Sequence, residues 1–137
     1  MTYWLLKTEP EEFSWQQLCA SGARGETWNG IRNHQAAGYL RQMRAGDRAF
    51  IYHTGKEKCV VGIGEVLGEC FPDLDDSSGR FVAVTVRACE PLARPVTLAA
   101  IKALPALADF VLLRQGRLSV MPVTPMQWRT ILALAKP

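Results

Sequence analysis

The chain has 137 residues, 48% hydrophobic and 21% charged, a composition that is typical of a globular domain and excludes a disordered chain. The net charge is only +3 and the isoelectric point about 8.8, which leaves nucleic acids and small molecules open as partners. No segment approaches the roughly 20 apolar residues of a membrane helix, and no signal peptide is recognisable, so we expect a cytoplasmic protein without membrane association.

In the first half of the chain, strand signals and helix caps alternate. Apolar runs predict strands, and a polar N-cap before apolar residues at helical spacing predicts a helix. In chain order these elements are a strand over residues 3–7, a helix capped by Ser14, a loop over 23–27, a helix capped by Asn33, and strands over 48–52 and 59–66. Glycines inside the last strand indicate a bulge or a close backbone contact.

The second half of the chain contains the clearest strand. Valine alternates with Ala, Thr and Arg between Phe81 and Cys89, as expected for a strand with one buried face. In chain order the elements are an acidic surface loop over 73–79, this strand, a short helix capped by Thr97, a strand-like segment over 118–120 and a helix that Thr124 opens. Four to six strands with four short helices, without βαβ alternation, predict an α+β domain with a strongly curved sheet or small barrel.

The sequence contains no metal-binding or cofactor-binding motif. Its four cysteines form no C-x-x-C pair, and neither of its two histidines lies at metal-ligand spacing from them. The glycines at 62–68 are not followed by the helix that a phosphate-binding loop requires. We therefore expect no zinc, no other cofactor and no structural disulfide.

Residues 28–35, WNGIRNHQ, concentrate flat and hydrogen-bonding side chains at a predicted junction between loop and helix. An indole can stack on a flat ligand, and carboxamide and guanidinium groups can read its edge. Taken alone, the segment fits a core Trp28 and a polar helix cap slightly better than a binding site. Trp4 and Trp128 lie in apolar periodic runs and are predicted core residues, whereas Trp15 receives no assignment.

Polar residues also flank three predicted strands. Lys7 to Glu9 leave the first strand, Tyr52 to Thr54 leave another, and 114–119 precede a late one. If these ends converge on residues 28–35, they form a concave mouth with one stacking ring. An ordinary role in a strand, a turn or a solvated surface is the alternative for Tyr52, His53, Arg114 and Arg117.

Five blocks of the sequence resemble, in order, the signature segments of the EVE domain family, that of thymocyte nuclear protein and many small bacterial relatives. The blocks are YWLLKTEP at 3–10, WNGIRNHQA at 28–36, YHT at 52–54, VGIGEV at 61–66 and LLRQGRLSVMPV at 112–123. The resemblance implies one EVE domain over residues 1–137 with a PUA-like fold, a strongly bent β-barrel with short helices packed around it.

The same resemblance implies non-catalytic recognition of a modified, in particular methylated, nucleobase in DNA or RNA. The base would be flipped into a pocket in which Trp28 is the stacking ring. The expected ligand-binding residues are Trp28, Asn33, Gln35, Lys7, Thr8, Glu9, Tyr52, His53, Thr54 and Ser119. The basic side chains expected to contact the sugar-phosphate backbone are Arg32, Arg114 and Arg117.

Two features of this chain depart from the family pattern. Thr8 and Thr54 stand where many relatives have serine. Threonine keeps the hydroxyl, but its additional methyl group narrows the expected pocket. The loop over 73–79 is short and acidic, and its charge would repel phosphates on that side.

Three other functions stay open at this point. A small enzyme acting on a base or nucleotide would use His53 as acid or base. A methyl-lysine reader would use Trp28 and Tyr52 as cage walls. An RNA-binding PUA-like module would bind without regard to modification.

Overall fold

The computed structural model describes residues 1–137. The strands are β1 (Tyr3–Thr8), β2 (Glu26–Trp28), β3 (Arg48–His53), β4 (Cys59–Val66), β5 (Phe71–Pro72), β6 (Val82–Thr97) and β7 (Val120–Val123). The α-helices are α1 (Trp15–Ala20), α2 (His34–Gln42), α3 (Leu98–Lys102), α4 (Val111–Arg114) and α5 (Pro125–Leu134). Two 3₁₀ turns cover Gly22–Arg24 and Pro105–Leu107.

All seven strands belong to one curved sheet. The strand order is β2-β6-β4-β3-β1-β7, and the short β5 also pairs with β6. Only β1 and β3 run parallel, so Thr8 and His53 stand side by side where both strands end. Register shifts between β4 and β6 mark bulges, and the sheet curls into a half-barrel. The predicted α+β class with a strongly curved sheet is confirmed.

Each of the four predicted helix caps forms in the structure. The side chain of each cap residue accepts a hydrogen bond from the backbone N–H three positions on, which satisfies one of the free donors of the first turn. The four residues are Ser14, Asn33, Thr97 and Thr124. Two of them, Ser14 and Thr124, complete a capping box with a glutamine.

The core contains 32 buried residues and includes both predicted core tryptophans. Trp128 lies between Tyr3, at 4.3 Å between ring centroids, and Phe50, at 3.8 Å. The indole N–H of Trp4 donates to the buried carboxylate of Asp47 at 3.0 Å, so its one polar group is satisfied.

Trp15, which the sequence left unassigned, packs directly over Gly62 in β4. A Cβ atom at Gly62 would lie 2.5 Å from Cη2 of the indole, closer than any side chain tolerates. The glycine within the strand therefore marks a close contact, as its position predicts.

Two predicted elements differ from the structure. The segment predicted as a loop over 23–27 contains the start of β2, which forms because it pairs with β6. The strand predicted to end at Cys89 continues through Pro91 and Pro95 to Thr97. Over this extension β6 pairs only with β4, so prolines that lack an N–H are tolerated along its free edge. The cysteines are free thiols, and only Cys59 is buried.

None of the helices combines the length and the apolar character needed to cross a lipid bilayer.

Candidate functional site

A cavity of about 470 Å³ opens where β1 and β2 end. Four of the residues singled out in the sequence line it together: Lys7, Thr8 and Glu9 from the end of β1, and Trp28 from β2. The other lining residues are Glu12, Phe13, Glu26, Thr27, Asn29 and Ile31. We call this the Trp28 cavity.

Two aromatic rings form a corner of the Trp28 cavity. Trp28 is 7% exposed, and the half-buried Phe13 meets it edge to face, with ring centroids 5.8 Å apart and planes at 86°. A flat ligand stacked on either ring would present its edge to the other. The sequence carried no functional signal for Phe13, because an apolar residue directly before a helix cap is ordinarily a packing residue.

Hydrogen bonds from the end of β1 set the position of Phe13. The Thr8 hydroxyl donates to the Phe13 carbonyl oxygen at 2.7 Å. The carbonyl oxygen of Glu9 accepts from the backbone N–H groups of Glu12 at 2.9 Å and Phe13 at 2.8 Å. These bonds fold residues 9–13 into a tight turn that places Phe13 opposite Trp28.

Lys7 separates the Trp28 cavity from a second cavity. Its Nζ donates to the carbonyl oxygen of Gly116 at 2.7 Å and lies 5.7 Å from the centre of the Tyr52 ring. Burial lowers the pKa of Lys7 below its ordinary value, because desolvation disfavours the ammonium form.

The predicted mouth is divided into three adjoining cavities rather than one. The second, of about 230 Å³, shares Lys7 with the first and is also lined by Tyr52, Thr54 and Lys58. The third, of about 280 Å³, shares Gly116 with the second. Its polar lining consists of Asn33, Gln35, Gln115 and Arg117. Trp28 and Tyr52, the two proposed walls of a methyl-lysine cage, therefore line different cavities.

His53 lies inside the protein and outside all three cavities. It is 3% exposed; its Nε2 accepts from the backbone N–H of Trp15 at 3.0 Å, and its Nδ1 lies 2.9 Å from Oε1 of Glu57. Both ring nitrogens are therefore engaged, and the imidazole links β3 to α1.

The three other predicted site residues that line none of these cavities also have defined positions. The Ser119 carbonyl oxygen accepts from the backbone N–H of Lys7 at 2.9 Å, which extends the pairing of β1. Arg114 is exposed at the last residue of α4. Arg32 lies over the Phe81 ring and forms an ion pair with Asp73.

Asp73 braces the loop that follows Trp28. Its carboxylate accepts from the backbone N–H of Gly30 and from Nη1 of Arg32, both at 2.9 Å. The side-chain amide of Asn29 donates to Asp75 at 3.1 Å, which adds a second tie to the same loop. Gly30 has a positive φ of 81°, a conformation that favours glycine, and its N–H thereby reaches the carboxylate.

The prediction that residues 73–79 form an acidic surface loop is therefore wrong for Asp73. Its side chain is 0% exposed, whereas that of Arg32 is 41% exposed. Burial alone would raise the pKa of Asp73, but hydrogen bonds from Arg32 and from the N–H groups of Gly30 and Asp75 outweigh it. The pKa lies below its ordinary value, and the paired guanidinium compensates the charge.

Carboxylates outnumber cations in the Trp28 cavity, since Glu9, Glu12 and Glu26 line it with Lys7. No group of three His, Cys, Asp or Glu side chains in the protein is arranged to hold a metal ion. The cavity therefore offers rings for stacking and oxygen atoms that accept hydrogen bonds.

Comparison with known proteins gives a consistent family assignment. The family model described as EVE domain matches residues 2–134. Human thymocyte nuclear protein 1 is 30% identical over 165 residues, an alignment that covers 97% of this chain and 73% of the human protein.

Solved structures match over nearly the whole chain. An NMR structure of a Rhodopseudomonas palustris protein is 50% identical with a TM-score of 0.94, and the match covers 98% of this chain and 93% of that one. The crystal structure of human THYN1 protein in complex with 5-methylcytosine containing DNA is 27% identical with a TM-score of 0.92. The match covers 100% of this chain and 99% of the human chain. The fold is PUA-like, as the resemblance implied. The chain belongs to the EVE domain family.

Proposed function

We propose that this protein is a non-catalytic module that binds DNA containing a modified base and holds that base, flipped out of the duplex, in the Trp28 cavity. The observation that carries the proposal is the aromatic corner of Trp28 and Phe13 beside the polar end of β1. A relative of the same fold has been crystallised with 5-methylcytosine containing DNA, which makes 5-methylcytosine the first base to test.

Stacking provides the sequence-independent part of the binding. Bases inside a duplex expose neither face, so a base must leave the stack before a ring can contact it. The volume of about 470 Å³ lies within the usual range of small-ligand pockets. Each base that stacks on an aromatic ring contributes about 1–3 kcal/mol to binding, which helps to offset the cost of unstacking.

Recognition of the modification requires an apolar contact for the methyl group and polar contacts for the base edge. Ile31 is the aliphatic side chain in the cavity lining, and Asn29 supplies a polar group. An aliphatic contact favours the methyl group of a pyrimidine, as it does in groove recognition of thymine.

Phosphates would contact the basic side chains of the adjoining cavities. Lys7 and Lys58 line the second cavity, and Arg117 lines the third together with Asn33 and Gln35. Arg32 is already paired with Asp73 and contributes less free charge. Because few cations surround the cavities, we expect a shallow dependence of affinity on salt.

The absence of catalysis in this proposal rests on His53. Both of its ring nitrogens are engaged inside the protein, so it does not reach a ligand in any of the three cavities. No observation favours an enzymatic reaction over binding.

The test compares binding of a duplex with one 5-methylcytosine to the same duplex with cytosine. Trp28→Phe shortens the stacking ring, and Trp128→Phe is its matched control, because the two indoles are 7% and 6% exposed and only Trp28 lines the cavity. We expect Trp28→Phe to weaken binding of the methylated duplex roughly fivefold and Trp128→Phe to leave it unchanged.

Two results would contradict the proposal. One is equal affinity of the wild-type protein for methylated and unmethylated duplexes. The other is equal loss of binding in the two phenylalanine variants. Tight binding to unmodified RNA with a steep salt dependence would instead identify a backbone-binding RNA module.

A further inference from the structure

Glu26 stands on the core-facing side of β2, next to Trp28. Residues two apart in a strand project from the same face, so Glu26 and Trp28 share a face and Thr27 lies on the other. Directly across from them on β6 are Val86 and Val84, both fully buried. A carboxylate on such a face is unusual, because apolar side chains fill it elsewhere.

The Glu26 carboxylate also has no partner within the protein. It is half-buried and takes part in no hydrogen bond and no ion pair. Glu9, in contrast, accepts from the Thr54 hydroxyl at 3.2 Å, and Glu12 is exposed on the turn. Because the carboxylate makes neither a hydrogen bond nor an ion pair, Glu26 does not stabilise the fold through a specific polar contact.

We propose that Glu26 selects bases that present an exocyclic amino group beside Trp28, and that it thereby distinguishes 5-methylcytosine from thymine. This inference rests on the proposed function, since it assigns a role within the same cavity. It adds a specificity-determining residue that contacts the edge of the base rather than its face.

The chemistry of the two bases makes the distinction necessary. 5-Methylcytosine and thymine carry the same methyl group, so a pocket that senses only the methyl group accepts both. At position 4, cytosine has an amino group that donates hydrogen bonds and thymine has a carbonyl oxygen that accepts them. An ionised carboxylate only accepts, so it pairs with the first and repels the second.

The experiment measures dissociation constants for duplexes with 5-methylcytosine, cytosine or thymine opposite an abasic site. The abasic site removes differences in base-pairing energy, which would otherwise favour the flipping of a mismatched thymine. The proteins are the wild type, Glu26→Gln and the matched control Glu11→Gln, a glutamate that is exposed on the 9–13 turn and does not line the cavity. A thermal melt of each variant checks folding.

We expect the wild-type protein to bind 5-methylcytosine roughly tenfold or more tightly than thymine. In Glu26→Gln the affinities for the 5-methylcytosine and thymine duplexes should differ by no more than about twofold, because a carboxamide both donates and accepts hydrogen bonds. Glu11→Gln retains the wild-type ratio. An unchanged ratio in Glu26→Gln, or its loss in Glu11→Gln as well, would overturn the assignment.

The same data separate this inference from the proposed function. The ratio of 5-methylcytosine to cytosine tests whether the methyl group is recognised, and the ratio to thymine tests Glu26. If the protein prefers 5-methylcytosine over cytosine and Glu26→Gln leaves the ratio of 5-methylcytosine to thymine affinity unchanged, only the role of Glu26 is rejected. Failure to bind any of the three duplexes rejects both.

Discussion

Trp28 and Trp128 are almost equally buried, at 7% and 6% exposure, yet their surroundings are opposite. Trp128 is covered on both faces, by Tyr3 at an interplanar angle of 14° and by Phe50 at 19°. Trp28 meets Phe13 edge to face at 86° and borders a cavity. The exposed fraction alone does not distinguish an indole enclosed on both faces from one that also borders a cavity.

The arrangement of neighbours makes the distinction. Parallel rings on both faces of Trp128 leave no surface for a ligand, and its contacts contribute only to stability. The perpendicular ring beside Trp28 leaves space next to the indole, and hydrogen bonds to the Asp73 carboxylate hold the loop that follows it. Substitutions around Trp128 should therefore affect stability alone, whereas substitutions around Trp28 should also affect binding.

The largest effect on stability is expected for Trp128→Ala. Loss of the stack with Tyr3 and Phe50 leaves a cavity in the core and should lower the free energy of unfolding by about 3–5 kcal/mol. Urea denaturation followed by circular dichroism measures the loss. A loss below about 1 kcal/mol would mean that the stacked rings relax to fill the space.

Asp73→Ala tests the loop on the Trp28 side. The substitution leaves the Gly30 N–H and the Arg32 guanidinium without their shared acceptor, and we expect a loss of about 3 kcal/mol. Binding in the Trp28 cavity should also weaken, because the loop is no longer braced. Urea denaturation checks the first effect, and an unchanged midpoint would show that water replaces the carboxylate.

The pH dependence of stability is a second test of the ion pair between Asp73 and Arg32. The pKa of Asp73 is lower in the folded protein than in the unfolded chain, so its stabilisation is complete above the unfolded pKa and is lost as pH falls through the folded one. Wild-type stability should fall between about pH 5 and pH 3, and Asp73→Asn should show a shallower fall over that range. Parallel curves for the two proteins would contradict the ion pair.

The smallest effect on stability is expected for Glu26→Gln. Since the carboxylate has no partner in the protein, the variant should unfold within about 0.5 kcal/mol of the wild type. Differential scanning calorimetry measures this difference. A larger destabilisation would reveal a structural role for the charge and would weaken its assignment as a recognition group.

Much of the fold could be predicted because the signals are local. Ser14, Thr97 and Thr124 cap helices through bonds to residues three positions away, so a short stretch of sequence contains the whole motif. The strand β2 and the extension of β6 could not be predicted from local sequence, because they form only by pairing with distant strands.

The candidate site shows the same limit. Trp28 and the end of β1 stood out by residue type, and the Trp28 cavity brings them together. Phe13 and Glu26 did not stand out. Phe13 reaches the cavity through a turn fixed by the Thr8 hydroxyl, and Glu26 faces the core only because β2 pairs with β6 in one register.

The position of β1 has a consequence for how the molecule folds. The first strand of the chain lies between β3 and β7, the last strand, and Lys7 bonds to Gly116 across 109 residues of sequence. Such pairing is slow because the chain loses loop entropy before the contacts form. On the ribosome, the edge of β1 that pairs with β7 stays open until the C-terminal segment emerges, so the second and third cavities, which residues 112–118 help to line, are completed last. A truncated chain would leave that edge free to pair with other molecules and aggregate.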